Sequence, residues 1–242
     1  MTRIYQATPL SKNSTLTLDA NASHHLAHVL RAKVGEKIIL FNGHGGEYSG
    51  VIQQINKKNV VVAVNEFTAT SVESALDIGL AQGISRGEKM DHTIQKAVEL
   101  GVKKIIPLFT ERCNVKLDAE RSEKRLQHWR SIVISACEQS GRNDIPEIQM
   151  PQSFTQWVSH VHADFCLVLS PHAKKKLNDL AIPSTARVIL LIGPEGGLSQ
   201  QEIDFATQHH FLPLNLGPRV LRTETAAVAA MSALQSVYGD MG

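Results

Sequence analysis

From residue 75 onward, short apolar runs alternate with amphipathic stretches, and no other feature of the sequence restricts the fold so tightly. Ala75–Ala81, Ile105–Phe109, Phe165–Leu169, Val188–Ile192 and Leu212–Leu216 read as strands. Between the first two, Met90, Ile94, Ala97 and Val98 recur on one face of a helix over Arg86–Leu100, with Gly101 as its stop. Asp118 is placed to cap a long helix through Ser140, whose Leu126, Trp129, Val133 and Cys137 form the buried stripe. Shorter helices are expected over Phe154–Val161 and Ser199–Gln208, and a last one from about Thr225 to Val237. Strand–helix alternation of this kind predicts an α/β fold with a mostly parallel sheet covered by helices on both faces.

The first seventy residues obey another rule. Arg3–Gln6, Thr15–Leu18, Lys37–Phe41, Tyr48–Ile55 and Val60–Val64 read as short strands, with Gly43–Gly46 and Asn56–Asn59 as turns. One helix lies among them, capped by Asp19, with Ala22, Leu26 and Val29/Leu30 on its apolar side. Several short strands around one helix suggest a small barrel. Near Thr68–Ser74 the residues become small and polar, which divides the chain into domains at 1–70 and 71–242.

Charge bears on which partner each part can take. The chain's formal net charge is only +2. Residues 1–70 carry seven Lys and Arg against four Asp and Glu, whereas residues 71–242 carry eighteen against nineteen. The positive excess therefore sits in the N-terminal part, which is compatible with phosphate binding there and also common on surfaces without that role. No apolar run approaches the roughly 20 residues that span a bilayer, and no signal-peptide pattern opens the chain, so a cytosolic protein without a membrane partner is expected. Cys113, Cys137 and Cys166 are an odd set without C-x-x-C spacing and read as reduced structural residues.

Unusual residues concentrate in three segments, each placed after an apolar strand: Leu169–Pro171, Ile192–Ser199 and Leu216–Ala226. Loops at the carboxyl ends of parallel strands can converge on one crevice. Gly193, Gly196 and Gly197 either let a ligand approach exposed backbone N–H groups or simply make a tight strand-to-helix turn. The segment matches neither a P-loop nor a G-x-G-x-x-G fingerprint.

Gly193-Pro194-Glu195-Gly196-Gly197-Leu198-Ser199 and Leu216-Gly217-Pro218-Arg219-Val220-Leu221-Arg222-Thr223-Glu224-Thr225-Ala226, in this order and spacing, closely resemble the signature of the bacterial 16S ribosomal RNA (uracil N3)-methyltransferases of the SPOUT superfamily. Ser85–Met90, Gln95-Lys96, Glu99–Val102, Glu111–Cys113 and Cys137–Asn143 also resemble that family, so the likeness covers nearly the whole chain. It implies a C-terminal trefoil-knotted sheet, an N-terminal PUA-like RNA-binding β-barrel and a homodimer. It also implies S-adenosyl-L-methionine bent among the knot loops, contacted by Leu169, Ile192, Gly193, Gly197, Leu216, Leu221, Thr225 and Ala226. Arg222 and Glu224 fall where related enzymes place reactive polar side chains, and a salt bridge at a helix N-terminus is the plainer alternative. Family members often carry His before the Pro at position 171, where this chain has Ser170. The activity implied is methylation of N3 of a uridine in 16S ribosomal RNA of the assembled small subunit, with no metal.

Two rival readings are a ribose 2′-O-methyltransferase of the same superfamily and a non-catalytic ribosome assembly factor. The N-terminal barrel and the Arg-Thr-Glu-Thr string argue against the first, and the intact glycine loops and Arg222 against the second. His24 and His28 have the i, i+4 spacing of metal ligands but no accompanying carboxylate or third ligand in a motif, so a wet helix face is the better reading. Lys174–Lys176 reads as a solvated loop or helix start, Trp129 and Trp157 as core or dimer packing, and Glu195 as an acceptor for backbone N–H groups.

Overall fold

The computed structural model describes residues 1–57, 59–115 and 118–242. They divide into two compact units, Met1–Glu73 with Cys137–Ile145, and Ser74–Ala136 with Pro146–Gly242.

In the first unit, β1 (Thr2–Tyr5), β2 (Ser14–Thr17), β3 (Lys37–Phe41), β4 (Glu47–Ile55) and β5 (Val60–Thr68) form one sheet in the order β1-β3-β4-β5-β2. β1 pairs parallel with β3, and every other neighbour is antiparallel. The period of two sets the core: Ile38 and Leu40, and Val60, Val62 and Val64, are buried with Ile4, Leu26 and Ile52. At the β4–β5 turn Asn56 N–H donates to Asn59 O at 2.8 Å, and Lys58 of that expected loop lies outside the described residues.

The single helix differs from its sequence reading. Asp19 caps α1 (Ala20–His24) by accepting from Ala22 N–H at 2.9 Å. The next turn, His25–Val29, is of π type, and Leu30 N–H reaches back to His25 O at 2.9 Å. An i→i+5 closure adds a residue to the turn and rotates the succeeding side chains off the apolar side. Ala22 and Leu26 therefore stay buried, while Val29 and Leu30, expected beside them, are 59% and 44% exposed.

The second unit is built on β6 (Asp77–Gly83), β7 (Lys104–Phe109), β8 (Glu147–Ile148), β9 (Gln152–Ser153), β10 (Phe165–Leu169), β11 (Arg187–Ile192) and β12 (Leu212–Leu214). The sheet order is β12-β10-β11-β6-β7-β8, with β9 also on β7, and all pairs are parallel. Ile78 to Gly83 and Val188 to Ile192 are buried without interruption, as strands covered on both faces require. On one face Ala81, Ile106, Val168, Ile189 and Leu191 pack with Phe154, Val158, Leu198 and Ala206, from α4 (Phe154–Val158), α5 (Gln200–Gln208) and the loop before α5. α2 (Glu88–Glu99) and α6 (Thr223–Tyr238) pack on each other, α6 also touching β11.

α3 (Ala119–Ser140) begins as the sequence indicates, Asp118 accepting from Arg121 N–H at 2.8 Å. Its final turn belongs to the first unit, a division the sequence reading did not contain. There Arg142 grips the Glu73 carboxylate with two bonds of 2.7 and 2.6 Å, both side chains almost fully buried, and Tyr5 N–H donates to Glu138 at 2.9 Å. No helix among the described residues is long and apolar enough to cross a membrane.

Candidate active site

Because β10, β11 and β12 run parallel side by side, their carboxyl ends open on the same edge of the sheet. Their loops enclose a cavity of about 400 Å3. Leu169 to His172 contribute from the first loop, Ile192 to Leu198 from the second, and Leu214 to Gly217 with Arg219 to Leu221 from the third; Arg112, Gln200, Ile203, Thr223 and Ala226 complete the lining. The size suits a ligand of some tens of atoms, held in a cleft that mixes apolar and polar groups.

The second loop is pinned at every stage. Gly193 O accepts from Gln82 Nε2 at 3.1 Å and from Thr223 Oγ1 at 2.6 Å. Gly197 N–H closes a turn onto Pro194 O at 2.9 Å, and Arg112 Nη1 donates to Gly196 O at 3.0 Å. Ser199 and Glu202 form a reciprocal capping box at the start of α5, where Glu202 also accepts from Glu111 N–H at 2.8 Å. Gly197 has φ +68°, and a Cβ built there would meet nothing within 4 Å. The backbone conformation favours glycine, and the open space beside it belongs to the cavity.

Glu195 takes the acceptor role read from sequence: its Oε1 accepts from Arg86 N–H at 2.9 Å and lies 3.7 Å from Lys89 Nζ. Burial alone would raise its pKa, but the backbone N–H groups of Arg86 and of Glu195 itself, with the charges of Lys89 and Arg86, outweigh that and hold the carboxyl below its ordinary value.

The structure brings Leu169, Ile192, Gly193, Gly197, Leu216, Leu221 and Ala226 together around the cavity. Thr225 is exposed and, among the described residues, is not part of the lining. Arg222 stands at the N-cap of α6, exposed, between the lining residues Leu221 and Thr223. Among the described residues it has no hydrogen bond or ion pair from its guanidinium, so the salt bridge considered as an alternative is not formed. Glu224 is half-buried in the first turn of α6, its Oε2 buried without a hydrogen-bond partner among the described residues. Ser170, standing where the resembled family often has His, is buried, and the nearby His172 lines the cavity.

Sequence reasoning passed over Gln82, Thr223 and Arg112. β6 was expected to stop at Ala81 and instead runs to Gly83, which carries Gln82 to the loop ends. A glutamine directly following the apolar run Ile78–Ala81 is the signal in the sequence, and the structure buries it fully.

The remaining conspicuous residues fall outside this site. The His24 and His28 rings lie 4.9 Å apart, and among the described residues no group of three or more His, Cys, Asp or Glu is placed to hold a metal ion. Trp129 is buried and Trp157 packs toward Phe211. Burial pushes the Cys137 thiol up to about 12, leaving no reactive thiolate there.

Comparison with known proteins gives this geometry a context. Residues 72–235 match the model of an RNA methyltransferase domain, and residues 18–65 that of an RNA methyltransferase PUA domain. The chain is 41% identical to a protein of Buchnera aphidicola subsp. Schizaphis graminum named ribosomal RNA small subunit methyltransferase E, over 99% of this chain and 97% of the relative. It superposes on a Legionella pneumophila structure in complex with the bound cofactor SAM with TM-score 0.96 and 45% identity, over 98% of each chain. For the Neisseria gonorrhoeae ribosomal RNA small subunit methyltransferase E bound to S-adenosyl methionine the TM-score is 0.93 and the identity 38%, over 100% of each.

Proposed function

The chain belongs to the ribosomal RNA small subunit methyltransferase E family, and from that premise we propose that it transfers the methyl group of S-adenosylmethionine to N3 of a uridine in 16S ribosomal RNA. The observation that carries the reading is the cavity among the three loops, whose glycine wall and mixed apolar and polar lining suit that cofactor. Gly197 supports the fit, since only the absence of a side chain keeps the space beside its left-handed backbone open. Leu169, Ile192, Leu216, Leu221 and Ala226 would supply apolar surface and backbone groups, and Gly193 and Gly197 close backbone approach; Thr225, exposed and off the lining, has no contact in this reading.

S-adenosylmethionine, when bound, supplies an electrophilic methyl group on a sulfonium. The chain's own residues must hold the base in line and deal with the N3 proton, because neutral uracil has no free lone pair at N3. An arginine is unsuited to be a base, but the Arg222 guanidinium, unpaired among the described residues, can stabilise the anion developing on the uracil oxygens. Glu224, with one carboxylate oxygen lacking a donor among the described residues, or a water molecule, takes the proton. N3 is paired in a duplex, so the target base is unpaired or extruded into the site.

The first unit would dock on RNA as a PUA-like barrel, in keeping with the PUA match and the positive excess of residues 1–70. A trefoil knot in the second unit is supported by the path of the chain, which leaves the edge strand β12 and enters α6 with Thr223 bonded to Gly193 and Gln82. The reading includes a homodimer acting on the assembled small subunit in the cytoplasm. It is tested by digesting ribosomal RNA from cells lacking the protein: one N3-methyluridine should be missing and should return with the wild-type gene. An unchanged nucleoside profile would reject the assignment.

A further inference from the structure

We propose that Thr223 and Gln82 are positioning residues that tie the cofactor wall to the start of α6, so that the wall and the residues acting on the base keep one geometry. The inference rests on the function proposed above and concerns groups to which that reading gives no role.

The hydrogen bonds have fixed directions. Gly193 O can only accept, so Thr223 Oγ1 donates to it at 2.6 Å, while the two protons of Gln82 Nε2 are shared among Gly193 O at 3.1 Å, Thr223 Oγ1 and Gly83 O. Having given its single proton to Gly193, the Thr223 hydroxyl presents a lone pair to Gln82 Nε2 at 2.9 Å. Gln82 Nε2 also lies 3.0 Å from Gly83 O. Turning the amide over would set its oxygen against two carbonyls, so its orientation is fixed. Gln82 is fully buried and Thr223 nearly so, which makes these bonds costly to leave unmade.

The consequence lies in the neighbours. Gly193 is part of the cavity wall, whereas Thr223 stands between Arg222 and Glu224. Among the described residues the Arg222 guanidinium has no bond to locate it and Glu224 Oε2 has no partner, so the backbone at Thr223 sets where both side chains start. A shift of the Gly193 carbonyl would be passed through one hydroxyl to the first turn of α6. Such displacements of reacting groups weaken turnover out of proportion to their size.

The test uses the full-length protein. Thr223→Val keeps the shape and removes the hydroxyl, Thr223→Ser keeps the hydroxyl, and Gln82→Met removes the amide from the other side. For each, S-adenosylmethionine affinity is read by calorimetry, kcat and KM by methyl transfer to small ribosomal subunits, and folding by Tm. Thr223→Val should lower kcat at saturating cofactor by about tenfold or more, the scale of one lost buried hydrogen bond, and should weaken cofactor binding, with Thr223→Ser recovering most of both. If Thr223→Val does not fold, Gln82→Met is read in the same way. A loss of Tm with kcat and cofactor affinity unchanged in the folded fraction would overturn the proposal, as would wild-type behaviour in both variants. A wild-type protein that neither binds the cofactor nor transfers methyl would instead reject the function on which the proposal rests.

Discussion

Two loops that line the cavity are made in opposite ways. Residues 193–199 are held by Gln82, Thr223, Arg112 and an internal turn, and end in a reciprocal cap. Residues 215–222 are anchored at their first residue, where Asn215 N–H donates to Lys175 O at 2.9 Å and its side-chain amide to Pro171 O at 2.6 Å. Beyond that anchor Pro218 to Val220 are exposed, Val220 by 83%, as is Arg222. The contrast separates two tasks that one site must perform. A wall for a cofactor works best when it is formed before binding, because no ordering entropy then opposes affinity. A surface that meets a large nucleic acid must present charge and apolar groups outward, and it is there that Arg222 stands, exposed.

The largest effect should come from breaking the pinned loop from within. A Cβ on Gly193 would lie 2.5 Å from Leu198 N and 2.7 Å from Gly197 C, both backbone atoms that cannot swing aside. Gly193→Val should abolish cofactor binding and lower stability by about 1–3 kcal/mol, the usual cost of overpacking, seen in calorimetry and urea unfolding. Gly197→Val sharpens the comparison, since its side chain meets open space and only the backbone is strained. It should cost about 1–2 kcal/mol of stability for the left-handed conformation and remove measurable cofactor affinity while the protein stays folded.

The exposed loop should respond in the reverse sense. Arg222→Ala should leave Tm and cofactor affinity unchanged and lower single-turnover methylation by about 10²–10³, as loss of one preorganised charge does. Raising the pH should partly rescue it by supplying ionised uracil. Normal turnover across the pH range would show that this arginine takes no part in the chemistry. Smallest of all is the effect at Glu195. Its folded pKa lies below the ordinary carboxylate value, so its stabilising contribution is present above an unfolded pKa of about 4.3 and is lost as pH falls through the lower folded value. The Tm difference between wild type and Glu195→Gln should therefore be largest above about pH 5 and shrink toward acid.

Much of this was legible beforehand, for reasons that can be named. Lys37–Phe41 and Phe165–Leu169 have the bounds expected of them, because apolar runs bracketed by polar or turn residues mark strands wherever they are buried. Seven of the eight residues assigned to the cofactor by resemblance line one cavity, which spacing alone could not have arranged. The π-type turn at His25–Val29 escaped because a helical period carries no mark of an i→i+5 closure. The two-residue strands β8 and β9 are too short for any period to register. Cys137–Ile145 escaped because its bonds are distant in sequence: Arg142 meets Glu73 across 69 positions. Gln82 and Thr223 were missed for the same reason, their bond spanning 141 positions.

Where the methyl group goes is the most direct test of the proposed chemistry. Purified protein, isolated small ribosomal subunits and S-adenosylmethionine carrying a labelled methyl group should be incubated together, and the RNA digested to nucleosides. The prediction is label in N3-methyluridine, one per subunit, and none with Arg222→Ala at neutral pH on the same time scale. Label recovered on a ribose 2′-oxygen, or no transfer by a wild-type protein that binds the cofactor, would contradict it.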